Sequence, residues 1–389
     1  MKFIEKIKDA TKTIYSEKGH PDTLLRKDLK TKKPLVYPPV VIAHITNDIT
    51  DLFLSKIKSK QSIQVHYSAQ MNSHPHLGSI LSLMTAFAVT EKLSNRFEIP
   101  AKIKFEVLEN APKEQKIING LIYTKMHCNT YIDKMPLSSI YLKSFKELLD
   151  MLKLKTGIEY ELLYYKQFQE IPFVRKTLIE MINREKEFAP IVAPSEGHLR
   201  VRIPCPKCKF SEKSGVKTKI KTKGKHKLIL SSDCPNHGTF EIELKENNKD
   251  FIDMNTPIRN VIKEAMFIEN AKTEKALNLM VDGGDWIHMT EFVVSEGLSL
   301  LGYNYADRPT RLFTPIIEDW SGAKFSKSVY TQKGTYDLPE GFLNFIEFKK
   351  KYGSEGLEKL WEEAKNWIQD PKKLFRNYSA EYLMYVLDK

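Results

Sequence analysis

The sequence predicts an α/β protein built on a parallel sheet, with a small inserted module and a helical C-terminal region as an appendage. Three observations carry this. Strand-like and helix-like stretches alternate from residue 61 to 184 and again from 257 to 317, at lengths that suit βαβ units. The rhythm stops over 190–244, where prolines, three of the four cysteines and a lysine-dense run gather. The last stretch, 341–389, spaces its apolar residues as an amphipathic helix does.

Taken in order, 1–60 reads as a basic, partly helical N-terminal extension with Pro-rich turns at 33–39. Residues 61–68 (QSIQVHYS) read as a strand, and 78–95 as a mostly buried helix. The alternation of 102–108 (KIKFEVL) gives a second strand, closed by Asn110-Ala111-Pro112. Helices follow at 137–154 and 173–184, around a strand at 158–165. Beyond the module come a helix near 257–269, a strand at 276–281, a helix near 290–301 and a strand at 311–317. That strand enters a Gly/Lys/Ser loop at 321–328. The expected units are 1–60, a first half of the α/β domain at 61–190, the module at 191–245, a second half at 246–330, and a helical region at 331–389.

Composition narrows the class. With 41% apolar and 28% charged residues the chain folds rather than staying disordered. Its apolar runs fall far short of the ~20 residues a membrane span needs. The N-terminal MKFIEKIKDATK lacks a signal peptide's apolar region, so a cytoplasmic protein with no membrane partner is expected.

Cys205 and Cys208 form one C-x2-C pair; Cys234 and His237 form a C-x2-H pair after 25 intervening residues. Two such knuckles complete a tetrahedral Cys3His site, the set zinc prefers, with no position open for chemistry. The intervening 216–230 reads as a hairpin turning near Gly224, so the module is a zinc ribbon whose Zn2+ is structural. Cys128, alone, reads as a small apolar residue.

Two loops suit phosphate. Residues 72–79 (NSHPHLGS) link the first strand to a helix, the place where open parallel sheets bind nucleotides. The helix start offers free N–H groups to phosphate, His74 and His76 are further donors, and Gly78 permits close approach. Residues 322–328 (GAKFSKS) place Lys324, Lys327, Ser326 and Ser328 around a glycine turn able to wrap a triphosphate. Gly283-Gly284-Asp285-Trp286 follows a strand and offers a carboxylate to ribose hydroxyls.

In this order the motifs resemble those of class I aminoacyl-tRNA synthetases. His76-Leu77-Gly78-Ser79 resembles the HIGH signature, 324–328 (KFSKS) resembles KMSKS about 245 residues later, and Gly283 and Asp285 match the ribose-binding GxD. The family member that the chain looks most like is the class I, archaeal-type lysyl-tRNA synthetase, which also carries a zinc module before the GxD strand. The resemblance covers roughly 60–330. It implies a Rossmann-like (HUP-type) catalytic domain that joins ATP, with Mg2+ assisting, to an amino acid, lysine first. His74 and His76 would contact the ATP phosphates, with Ser79 where the family has a second His or Asn. Gly78 would lie under the adenosine, and Gly283 and Asp285 would hold the ribose. Lys324 and Lys327, flanked by Ser326 and Ser328, would neutralise the triphosphate. Phe325 stands where the family has Met. The 61 residues after Ser328 are expected to lack the family's large anticodon-binding domain.

Of the net charge of +12, eleven basic residues and one acid put +10 within 200–227. Lysines 217, 219, 221, 223, 225 and 227 alternate, which would set them on one face of a strand. They read as a surface for tRNA or another RNA, or as lysines guarding an edge strand. Two rivals to the synthetase reading are a catalytically weakened RNA-binding or regulatory paralogue, and an adenylate-forming ligase with a non-tRNA acceptor.

Overall fold

A computed structural model describes residues 46–319, 322–325 and 341–388, with the backbone of 25–27, 34–36 and 340. Five strands, β1 (Ser62–Gln70), β2 (Ala101–Leu108), β3 (Glu159–Tyr164), β4 (Ala276–Gly283) and β5 (Thr310–Thr314), pair in parallel in the order β3-β2-β1-β4-β5. This is the doubly wound, Rossmann-like order, and its switch point lies between β1 and β4.

The helices that position the site are α1 (Leu77–Phe97), α2 (Leu137–Thr156), α3 (Pro172–Asn183), α4 (Thr256–Glu274) and α5 (Phe345–Gln369). They cover both faces of the sheet; the face under α1 and α2 is apolar, while the other buries Gln64, His66, Lys104 and Glu106 beside apolar residues such as Met280. Val65 lies between Ile103 and Leu279 in register, and all three are fully buried in the core under α1 and α2. Met280, one residue on from Leu279, points the other way, into the core beneath α3 and α4.

Residues 219–222, 227–234 and 238–245 form the expected antiparallel ribbon, extended by a third strand. A Cβ on Gly224 would lie 2.8 Å from the Lys227 carbonyl oxygen, so the turn admits only glycine. The ribbon is fastened to α3 by Arg175, a buried guanidinium that donates to the Lys245 carbonyl at 2.8 Å and the Asp250 carbonyl at 3.1 Å.

Three expectations change. The lysines at 217–227 do not share one strand face. Only Lys219 and Lys221 lie in the edge strand, a bulge shifts its register between Ile220 and Thr222, and Lys223 and Lys225 fall in the turn. The C-terminal helices are no appendage: Trp361 and Trp367 of α5 lie in the same core as α1, and Lys92 caps the Ile368 carbonyl at 3.1 Å. Between β2 and α2, where no element was expected, 112–118 and 121–126 make an antiparallel hairpin that 211–212 joins as a third strand.

Candidate active site and metal centre

At the carboxyl edge of the sheet, the switch point opens into a cavity of about 280 Å3. The ends of β1 and β4, the start of α1, one face of α4 and residues 315–317 and 324–325 line it. His74, His76, Gly78, Ser79, Gly283, Asp285 and Lys324, drawn from three separate stretches of chain, all border this one space. Ser326, Lys327 and Ser328 lie outside the described residues.

The β1–α1 turn is shaped by His76, whose extended backbone makes it the N-cap of α1. Its Nδ1 accepts from the Ser79 N–H at 3.4 Å, which leaves the proton on Nε2, 3.1 Å from Ser79 Oγ. A Cβ at Gly78 would come within 3.1 Å of that imidazole. His74 is oriented by Ser144 Oγ of α2, 2.8 Å from its Nδ1, and by the edge of Tyr141. Both imidazoles are therefore held in place from the protein side.

Across the cavity, Gly283 ends β4 in ordinary extended backbone, yet a Cβ there would sit 2.7 Å from Asp285 Oδ1. Glycine is needed for the carboxylate, not for the φ angle. The Lys324 ammonium is paired with the Asp285 carboxylate. Their side chains are 49% and 31% exposed, so the pair is worth roughly 0–1 kcal/mol and separates at little cost. Lys324 is delivered by a tight reversal: Asp319 Oδ1 accepts from the Ala323 N–H at 3.1 Å, and Gly322 adopts φ +80°. Phe325 anchors it, 3% exposed, with its N–H on the Ile317 carbonyl at 2.7 Å. The C-terminal region braces the same turn, as Tyr378 and Ser379 pair in parallel with Ile317 and Glu318.

Among the lining residues that the motifs do not include are Arg259, Asn260 and Lys263 of α4, and Asp282 of β4. The only signal of the first three is spacing, polar residues at i, i+1 and i+4 on a helix whose residues 258–268 are all buried. Lys263 Nζ lies 2.8 Å from Glu106 Oε2 and 3.1 Å from Ser68 Oγ. Burial pushes the Glu106 carboxyl up, but Lys263 and His66 outweigh it and hold it below the usual range. Burial pushes the Asp282 carboxyl up, and Lys263 opposes this. Trp286, half-exposed, serves as cavity wall.

The ligand atoms of Cys205, Cys208, Cys234 and His237 all lie within 4.8 Å of one another, the one such group of metal-binding side chains among the described residues. Cys205 Sγ is 3.5 Å from His237 Nδ1, Cys208 Sγ is 3.5 Å from Cys234 Sγ, and Cys234 Sγ is 3.4 Å from His237 Nδ1. A tetrahedral Zn2+ with ~2.3 Å bonds to sulfur requires ligand separations of roughly 3.5–3.8 Å, so the cage fits zinc. Burial raises the Cys205 thiol, but the backbone N–H groups of Cys208 and Lys207 prevail and leave it below its ordinary value. Cys128 belongs to neither site; burial and Glu109 push its thiol up to about 12, far from a nucleophile's range.

Among the described residues no helix is long and apolar enough to cross a membrane. No family model and no curated protein matches the chain. Similar solved structures include a protein assigned as an arginyl-tRNA synthetase from Campylobacter jejuni, at 9% identity and a TM-score of 0.37, covering 88% of this chain and 72% of that one. A glutamate-tRNA ligase from Elizabethkingia meningosepticum, in complex with its amino acid, has 12% identity and a TM-score of 0.38, with 83% and 68% covered. The glutamate-tRNA synthetase of Elizabethkingia anophelis has 11% identity and a TM-score of 0.37, with 84% and 70% covered.

Proposed function

We propose that this protein uses ATP to activate an amino acid as its aminoacyl-adenylate and passes it to a tRNA or tRNA-like acceptor. The observation that carries the reading is the meeting of His74, His76, Gly283, Asp285 and Lys324 around one cavity at the switch point. These residues are far apart in sequence, and each is of the type its proposed task requires.

In the proposed reaction the ribose hydroxyls donate to Asp285, and the adenosine lies over Gly78. Lys324 leaves its exposed pair with Asp285 for the triphosphate, joined by Lys327, while Ser326 and Ser328 help form the loop around it. An oxygen of the amino-acid carboxylate forms a bond to the α-phosphorus as the bond to the β-phosphate oxygen breaks, and pyrophosphate leaves. His74 and His76 donate to the phosphate oxygens as charge grows on them, with Ser79 fixing the tautomer of His76. Such donors lower the barrier because they are already oriented. Mg2+ would arrive with ATP and neutralise its phosphates. The division into two catalytic halves, 61–190 and 246–330, around a ribbon at 191–245 that presents 200–227 to RNA, belongs to the same proposal, as does a cytoplasmic location.

The resemblance favours lysine as the amino acid, with Asp282 the lining carboxylate an ammonium would meet. The unpartnered Arg259 at the buried end of the cavity favours another class. One observation supports a weakened, RNA-binding relative instead: His76 holds Ser79 and Lys324 holds Asp285, so groups meant for substrate are engaged with each other. Amino-acid-dependent exchange between ATP and labelled pyrophosphate, run across the twenty amino acids, decides between them. Charging of total tRNA then separates a synthetase from a ligase with another acceptor.

A further inference from the structure

At the buried end of the cavity one cation has no direct partner among the described residues. Arg259 and Lys263, one helical turn apart on α4, both line it and are 4% and 5% exposed. Their situations differ. Lys263 is matched by Glu106 at 2.8 Å. Arg259 makes no side-chain hydrogen bond or ion pair among the described residues, and its buried Nε has no partner. The acids whose fields reach it, Glu106 and Asp253, are committed elsewhere. Glu106 serves Lys263, while Asp253 accepts from Arg202 at 2.6 Å and from Asn110 at 2.7 Å. A buried guanidinium without an anion is held at a free-energy cost, and its planar fork of donors is the complement of a carboxylate.

Position decides which carboxylate. Asp285 and Lys324, the groups proposed for ribose and triphosphate, stand at the exposed rim. Arg259 is buried and also borders a small apolar recess lined by Leu163, Phe168 and Met266. The α-carboxylate has to stay beside the α-phosphorus, so what reaches Arg259 is the far end of the amino acid. Asp282, which lines the same cavity, is left for the α-ammonium. Lysine would bring a second positive charge against Arg259.

We infer that the amino-acid subsite selects a side chain ending in a carboxylate, received by Arg259. This rests on the proposal that the cavity activates amino acids, and deepens it. The test is pyrophosphate exchange by the full chain with glutamate, aspartate, glutamine and lysine, followed by the same series with Arg259→Gln. An acidic amino acid drives exchange in the unaltered protein. Arg259→Gln then raises its KM by about 10- to 100-fold, as loss of a charged hydrogen bond does. The KM for ATP changes by less than about twofold, and Arg259→Lys restores part of the loss. Exchange driven by lysine or a neutral amino acid, with none from the acidic pair, overturns this inference and leaves the activation reading standing. An acidic preference that Arg259→Gln does not reduce overturns the role of Arg259. Exchange with no amino acid overturns both. The panel on the unaltered protein needs no variant, so misfolding of Arg259→Gln would not shield the claim.

Discussion

Changing Lys219, Lys221, Lys223 and Lys225 to serine tests the proposed RNA surface. All four are exposed, and none forms an ion pair among the described residues. Lys227 is left in place because its ammonium is already matched by Glu243. If the four track phosphates, each contributes about 0.7–0.9 to the slope of log affinity against log salt, roughly 3 in total. Between 50 and 200 mM salt, the parent should then lose roughly 60-fold more affinity than the variant. Fluorescence anisotropy with labelled total tRNA at four salt concentrations measures this, with pyrophosphate exchange run beside it to show an unchanged cavity. Equal salt slopes in the two proteins would refute the surface. Equal slopes with new aggregation would assign the lysines to guarding the edge strand, which Lys219 and Lys221 occupy.

Three further outcomes are expected. Purified protein should contain one equivalent of zinc, and Cys205→Ser should lower its retention and melt the ribbon, read by metal analysis and by proteolysis within 205–245. Gly283→Ala should raise the KM for ATP by roughly 10-fold with little change in melting temperature, because the new Cβ displaces only the Asp285 carboxylate. A melting temperature lowered along with the KM effect would show that the glycine serves packing instead. His66 is fully buried, and its pKa falls to about 4 through burial, against the pull of Glu106. The unfolded chain takes up this proton below about 6.5 and the folded one does not until about 4. The contribution of His66 to stability is therefore full above about 6.5 and declines by ~3 kcal/mol as pH falls to about 4. Denaturant titrations of His66→Gln should show a shallower loss between those pH values than the parent; parallel curves would contradict the assignment.

Much of this molecule could be read from residue order, because its elements obey simple periods. The strands β1 and β2 alternate apolar and polar residues at the expected positions, and residues 72–79 and Lys324 border the point where strand order reverses. The Cys3His group was legible from spacing alone, since each knuckle is a local structure. What escaped was set by distance in sequence. Arg259 and Lys263 look like an ordinary helix face until β1 and β4 bring Ser68 and Asp282 against them. The lysine run alternates as a strand does, yet Gly224 and the bulge at 220–222 break it across two strands and a turn. The C-terminal helices look detachable, but Trp361 and Trp367 complete the core of the sheet domain.

The central claim is that one cavity joins ATP to an amino acid through residues that the fold brings together. Its most direct measurement is amino-acid-dependent pyrophosphate exchange by the unaltered protein and by Lys324→Ala and His76→Ala. Exchange should require an amino acid and fall by about 10²–10³ in either variant, with folding intact. Exchange that is absent from the unaltered protein, or is indifferent to both substitutions, would contradict it.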